Sequence, residues 1–194
     1  MKKMLRLKDG THVLIRPMTL DDLDRAYVFF KGLPAEDRTF LRFDVTKRDL
    51  LEERIRMIET GKVKRLVAVV DDKIIADGAL ELSDHGWAEH VAEIRMIVAR
   101  EYQRKGLGML MARELHALAA STKVEVIVVM MMRPQKAAQA IMRKLGFREE
   151  VLLPDWVKDV GGNRQDLIVM RCDLKVLWHE LEEYFQHTDW RRAR

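Results

Sequence analysis

The chain has 194 residues, of which 48% are hydrophobic and 34% are charged, and this balance excludes a disordered chain. Its length predicts a single domain over residues 1–194 with a core of ordinary size, in which 175–194 form a C-terminal helix and a basic tail. The formal net charge is +4 and the positive residues are scattered, whereas a nucleic-acid face needs a clustered basic stripe. We therefore expect no nucleic-acid partner.

Cysteine use and hydropathy indicate a cytoplasmic protein without a membrane anchor. Cys172 is the one cysteine of the sequence, so no internal disulfide can form, which is typical of a reducing compartment. No run approaches the ~20 apolar residues of a membrane span, and the charged start of the chain is not followed by the apolar region of a secretory signal. The histidines show no metal-ligand spacing such as His-Glu-x-x-His, so no metal is expected.

The first half of the chain predicts two helices followed by a strand pair. Residues 12–17 read as a strand, and Thr19 is placed to cap a helix that ends near Gly32. Apolar residues at helical spacing predict a second helix over 47–59. Two apolar runs then flank Asp71-Asp72, which indicates a β-hairpin.

The second half predicts a strand, a helix and a buried strand in succession, which implies a right-handed parallel crossover. The predicted elements are a strand over 91–98, a helix from 107 to about 120, a nearly continuous apolar strand over 124–132, a short helix over 135–145, and two strands over 147–157 and 165–172. Strands that alternate with helices in this way define the α/β (α+β) class with a mixed sheet.

A glycine turn at residues 102–108, Tyr-Gln-Arg-Lys-Gly-Leu-Gly, joins the strand over 91–98 to the following helix. Glycine lets the backbone turn sharply and leaves no side chain between its amides and a ligand. The free N–H groups and the positive dipole end of the first helical turn favour a phosphate. Arg104 and Lys105 add positive charge at the same point, so the turn predicts an anion site.

Two familiar phosphate motifs do not fit this turn, and a third one does. The dinucleotide fingerprint needs glycine or alanine three residues after Gly108, where Met111 stands, and the P-loop triplet Gly-Lys-Ser/Thr does not occur. Residues 103–108 together with Leu145-Gly146-Phe147 resemble the motifs of the GNAT superfamily of acetyl-CoA-dependent N-acetyltransferases. The element order is similar to that family over about residues 12–172.

The resemblance implies a GNAT-like fold, with about seven strands, helices on both faces of the sheet and a splayed parallel strand pair at the cofactor site. It also implies acetyl-CoA as the cosubstrate, whose acetyl group passes directly to a primary amine in a ternary complex. The loop amides would hold the pyrophosphate, and the strand before the loop would meet the pantetheine arm. The residues that the resemblance implies for cofactor binding are Ile97, Val98, Gln103, Arg104, Lys105, Gly106, Leu107, Gly108, Met109 and Gln135.

A general base is needed because a lysine-like amine, with a pKa of about 10.4, arrives protonated at neutral pH. Glu93 is the first candidate, because it lies on the strand that leads into the loop, where the family often places such a carboxylate. Glu81 and Glu89 are the reserve candidates.

Met142 stands where the family often has a tyrosine that protonates the leaving thiolate. Methionine cannot donate this proton, although a thiol with a pKa of about 8.5 is a tolerable leaving group unaided. This departure motivates an alternative function, a non-catalytic acyl-CoA-binding regulatory module. A nucleic-acid-binding protein is a second alternative, motivated by the pI of about 9.2 alone. The amine acceptor, on a small molecule or a protein, is not readable from the residues, and a homodimer rests on analogy only.

Overall fold

The computed structural model describes residues 2–84 and 86–176. The strands among these residues form one eight-stranded mixed sheet. Its strand order is β1-β2-β3-β4-β5-β6-β8-β7. The strands are β1 (Lys3–Arg6), β2 (His12–Pro17), β3 (Val63–Val70), β4 (Lys73–Leu82), β5 (Val91–Val98), β6 (Val126–Met132), β7 (Arg148–Lys158) and β8 (Arg164–Asp173). The sheet has one strand more than expected, because the short β1 pairs antiparallel with β2 at the edge.

Helices cover both faces of the sheet, as expected. The α-helices are α1 (Leu23–Gly32), α2 (Ala35–Arg38), α3 (Arg48–Arg56), α4 (Leu107–Ala120) and α5 (Lys136–Lys144). Helical spacing of Leu107, Met111, Leu115 and Leu118 predicted α4, which lies on one face and buries the first three completely and Leu118 in part. On the other face, α1 and α3 form a second core. The two cores fix the sheet between α4 on one side and α1 with α3 on the other.

Turn chemistry ends several elements where the sequence predicts it. Asp71 and Asp72 both have positive φ, 47° and 62°, in the hairpin between β3 and β4. This is the pair of left-handed residues that a type I′ turn requires, and aspartate tolerates that conformation. Gly61 is left-handed at φ 72°, where it ends the 3-10 turn Met57–Thr60 after α3. Thr19 and Asp22 form a capping box at the start of the first helical segment.

The parallel pair β5–β6 separates along its length, as the resemblance implies. The two strands pair only from Val91↔Val126 to Glu93↔Val128 within the described residues. Beyond this point, β5 continues to pair with β4 up to Val98, and β6 continues to pair with β8 up to Met132. The facing edges of β5 and β6 therefore part after Glu93 and open a gap in the middle of the sheet, which we call the β5–β6 cleft.

The expected C-terminal helix and basic tail lie, beyond Val176, outside the described residues. Among the helices that are described, none is long and apolar enough to cross a membrane.

Candidate active site

The glycine turn has the backbone shape of an anion cradle. After β5 ends, a 3-10 turn at Arg100–Tyr102 leads into residues 103–106, and α4 begins at Leu107. Two residues of this turn have left-handed backbone, Arg104 at φ 59° and Gly106 at φ 93°. Left-handed residues within a tight turn point successive N–H groups toward one side and form a concavity for an anion. No side chain of the described residues caps the N-terminus of α4, so its first N–H groups remain open to a ligand.

The β1–β2 hairpin braces this turn, and the sequence patterns did not indicate the contact. The backbone N–H of Lys8 donates to the carbonyl of Lys105 at 3.0 Å. Lys105 Nζ lies 2.9 Å from Asp9 Oδ2, and its hydrogen bond lowers the pKa of Asp9 to about 2. The aliphatic part of Lys8 passes Gly106, with Cγ 3.6 Å from the place that a Cβ would occupy. The turn is therefore held from outside by a hairpin almost a hundred residues earlier.

Gln103 and Gly108 connect the turn to the two sides of the cleft. Gln103 Nε2 donates to the carbonyl oxygen of Val98 at 3.1 Å, which ties the turn to the last residue of β5. At Gly108, an added Cβ would lie 3.0 Å from Cδ1 of Ile141 in α5 and 3.7 Å from Cε of Met96 in β5. The missing side chain at Gly108 thus lets α4 begin close to both α5 and β5.

The β5–β6 cleft has a volume of about 120 Å³ and runs along the unpaired edge of β5. Its walls include Ile94 to Ile97 from β5, Val129 to Met131 from β6, and Gln135, Ala138 and Met142 at α5. The unpaired edge presents backbone N–H and C=O groups with which an extended ligand can pair, as a strand would. Gln135 already uses its Oε1 to accept the N–H of Met132 at 2.8 Å, and the Met142 side chain is buried at the cleft.

Charged and apolar residues from distant parts of the chain line the other end of the cleft. Arg65 of β3 and Asp77 of β4 form a buried ion pair there. Arg42 and Phe43 reach the cleft from the segment between α2 and α3. Apolar and polar residues alternate in this segment at Leu41, Phe43 and Val45, but this pattern does not indicate which part of the sheet the segment contacts.

Two of the three candidate carboxylates lie together, and the third lies apart from them. Glu81 and Glu93 face each other across the β4–β5 pair, and Glu93 also forms the last register pair before β5 and β6 separate. Glu93 is bound by Arg42, with Nη1 3.0 Å from Oε2, and Glu81 is bound by Arg95. Glu89 lies exposed in the turn before β5, at the end of the strand where β5 and β6 are still paired. The structure therefore brings Glu81 and Glu93 together beside the point where β5 and β6 separate, and each is paired with an arginine of the cleft wall.

Positive charge is concentrated around Arg95. Burial lowers the pKa of the Arg95 guanidinium to about 10, and the nearby Arg42, Arg65 and Arg54 act in the same direction. A guanidinium normally stays charged well above pH 10. The lowered pKa of Arg95 therefore indicates that water is partly excluded from its surroundings and that several cations lie close to it.

Comparison with known proteins agrees with this geometry. A family model, the acetyltransferase (GNAT) domain, matches residues 12–148, and the chain belongs to this family. A search of the curated proteins by sequence finds no significant match.

Solved structures share the fold at low sequence identity. The ribosomal-protein-alanine N-acetyltransferase of Brucella melitensis superposes with a TM-score of 0.73 at 20% identity, over 82% of this chain and 99% of that chain. YncA of Salmonella typhimurium, solved with its cofactor acetyl-CoA, gives a TM-score of 0.74 at 16% identity, over 89% and 94%. RimJ of Mycobacterium smegmatis, in complex with CoA-disulfide, gives 0.73 at 19% identity, over 91% and 88%.

Proposed function

We propose that this protein is an N-acetyltransferase that moves the acetyl group of acetyl-CoA to a primary amine. One observation carries the proposal: the β5–β6 cleft opens next to Glu93 and runs along β5 toward the uncapped glycine turn. The cleft, the anion cradle and a carboxylate at the point of strand separation are the parts that such a transfer needs. Two neighbours in fold contain CoA or acetyl-CoA, which supports the same cosubstrate here.

The glycine turn fits the diphosphate of coenzyme A. The amides of residues 104–109 would hold it, because left-handed Arg104 and Gly106 shape the turn and α4 leaves its first N–H groups free. The unpaired backbone of β5 near Ile97 and Val98 would meet the pantetheine arm, and Gln135 would border it. Acetyl-CoA supplies the acetyl thioester, and a backbone N–H of β5 that donates to its carbonyl would be worth about 3–4 kcal/mol in the transition state.

Glu93 would act as the general base. The incoming amine carries a proton that must leave before nitrogen can attack the acetyl carbon, and the carboxylate accepts it directly or through water. The new C–N bond forms and the C–S bond breaks, so that the electron pair of the C–S bond leaves on sulfur and the nitrogen releases its second proton to solvent. Met142 lines the cleft without a proton to give, so solvent would protonate the departing thiolate.

The acceptor is an amine on a small molecule or a protein. The neighbour from Brucella melitensis is described as acting on a ribosomal protein, which keeps a protein acceptor among the candidates. A non-catalytic acyl-CoA-binding module is the second candidate function, and the buried Met142 in the cleft is the observation that favours it.

Thiol release from acetyl-CoA with a panel of amines tests the proposal. We expect thiol release that depends on the amine and a product that carries the acetyl group on nitrogen. Tight CoA binding without amine-dependent thiol release would instead identify the binding module. Affinity for DNA or RNA that acetyl-CoA does not compete away, and that falls steeply with salt, would support a nucleic-acid-binding protein.

A further inference from the structure

The proposed base is already occupied by an arginine. Both carboxylate oxygens of Glu93 accept from the Arg42 guanidinium, with Nη1 3.0 Å from Oε2 and Nη2 on Oε1. A carboxylate in a bidentate pair has its best-placed lone pairs engaged and is a strong partner for the arginine. Glu93 can therefore offer its best-placed lone pairs to an amine only after Arg42 has moved away from at least one oxygen.

Arg42 is placed so that it can move. Its side chain is 42% exposed, whereas that of Glu93 is 18% exposed. Arg42 lies in the irregular segment between α2 (ending at Arg38) and α3 (beginning at Arg48), so no helix or sheet ladder holds its backbone. Residues on such segments shift at a lower cost in free energy than residues on core strands.

The charges around the cleft leave room for an extra anion. Three arginines pair with three carboxylates there: Arg42 with Glu93, Arg65 with Asp77, and Arg95 with Glu81. Arg54 is a fourth cation, with its guanidinium carbon 5.7 Å from the ring centre of Phe43, a residue of the cleft wall. The ion pairs found among the described residues include none for Arg54, so the cations at this end exceed the carboxylates.

We propose that the acceptor is a small amine that itself carries a carboxylate or a similar oxyanion, and that this oxyanion takes Arg42 away from Glu93 as the amine arrives. The proposal rests on the proposed function. The amine then replaces Arg42 on Glu93, while the oxyanion keeps Arg42 satisfied, with Arg54 nearby as a second cation. Arginine suits this exchange, because its planar fork binds carboxylate and phosphate in the same bidentate way.

The geometry limits the distance between the two groups of the acceptor. Arg42 and Glu93 are in direct contact, so an amine on Glu93 and an oxyanion on a slightly displaced Arg42 lie only a few bonds apart. In this exchange Glu93 becomes free when an oxyanion binds Arg42. The oxyanion of the acceptor therefore affects both the turnover rate and the choice of acceptor.

Matched acceptors test this inference. β-Alanine and its amide share the amine position and differ in the charged group, and kcat/KM for both is measured over a range of pH to correct for the different pKa values of their amines. A peptide with a single lysine and no acidic side chain, blocked at both ends, serves as the protein-like acceptor. We expect the carboxylate acceptor to exceed the amide by roughly ten- to a hundredfold, the range for hydrogen bonds between charged groups.

Variants separate the role of Arg42 from general charge. In Arg42→Gln the ratio of kcat/KM for β-alanine to that for its amide should fall toward unity. The kcat/KM of the amide should rise relative to that of β-alanine, because Glu93 no longer has Arg42 bound to it. Arg54→Gln should reduce the preference by a smaller factor. Arg56→Gln is the matched control, because Arg56 pairs with Glu52 on the exposed surface of α3 and should leave the preference unchanged. Unfolding midpoints of all three variants check that they remain folded.

The outcomes are distinguishable. Turnover of the amide and the lysine peptide at the same kcat/KM as β-alanine would overturn the acceptor class and leave the N-acetyltransferase proposal standing. A carboxylate preference that survives Arg42→Gln unchanged would overturn the role of Arg42. No thiol release with any amine would overturn both proposals together.

Discussion

Arg65 of β3 and Asp77 of β4 form a buried bidentate ion pair in the wall of the cleft, with Nη2 2.5 Å from Oδ2 and Nε 3.2 Å from Oδ1. The two side chains are only 7% and 5% exposed. Removing one partner of a buried pair leaves the other charge without compensation, at a cost of about 3–5 kcal/mol. We therefore expect Asp77→Ala to lower the free energy of unfolding by about that amount, measured by urea denaturation.

The double variant Arg65→Met/Asp77→Leu is the control for this pair. It removes both charges and fills the space with apolar atoms, so its stability should lie close to that of the parent. A single variant as stable as the parent would mean that water reaches the pair and that it is not buried.

Gly78 of β4 faces α4, where a Cβ would lie 2.7 Å from Cδ1 of Leu115 and 3.2 Å from Cε of Met111. Both neighbours are fully buried, so they can yield only by repacking the core. We expect Gly78→Ala to cost about 1–3 kcal/mol, the range for overpacked cores. In a double-mutant cycle with Leu115→Val, the second substitution makes room for the added methyl group, so the combined loss of stability should be less than the sum. If the losses of stability in the two single variants simply added in the double variant, the added methyl group would not be strained against Leu115.

Burial lowers the pKa of His116 on α4 below its ordinary 6.5, and its Nε2 lies 3.8 Å from Sγ of Cys172. As the pH falls below 6.5, the unfolded chain binds a proton here that the folded chain does not yet bind. The free energy of unfolding therefore decreases from about pH 6.5 down to the lower folded pKa, and changes no further below it.

His116→Gln removes this contribution to the pH dependence. Denaturation at about pH 7.5 and about pH 5.5 should show a smaller loss of stability for the variant than for the parent, because the other histidines titrate equally in both. An equal loss in the two proteins would contradict a buried neutral imidazole.

Glu93, Glu81 and Glu89 differ in position and should differ in kinetics. Glu93→Gln should lower kcat/KM by about 10²–10⁴, the usual contribution of a general base. The loss should shrink as the pH approaches about 10.4, where a lysine-like amine loses its proton unaided. Glu89→Gln should match the parent, because Glu89 is exposed in the turn before β5, whereas β5 and β6 separate only after Glu93. A large loss in Glu81→Gln with no effect of Glu93→Gln would move the base to β4.

Local patterns predicted most of the fold because they act over a few residues. Helical spacing of Leu107, Met111 and Leu115 gave α4, and the glycines gave the turn before it. Local patterns could not predict the charged part of the site, because its residues are distant in sequence and are brought together by tertiary packing. Arg42 and Glu93 are separated by 51 positions, and Arg42 belongs to an irregular segment between α2 and α3. The Lys8 contact with the turn is equally nonlocal, so no pattern in the sequence could indicate it.

Binding of coenzyme A by the glycine turn is the central claim, and calorimetry with two ligands tests it most directly. Pantetheine lacks the diphosphate and the 3′-phosphoadenosine of CoA, so the parent protein should bind CoA much more tightly than pantetheine. Gly106→Ala, strained by about 1–2 kcal/mol at φ 93°, should lose affinity for CoA and keep its affinity for pantetheine. No heat with CoA, or equal affinity for both ligands, would contradict the account.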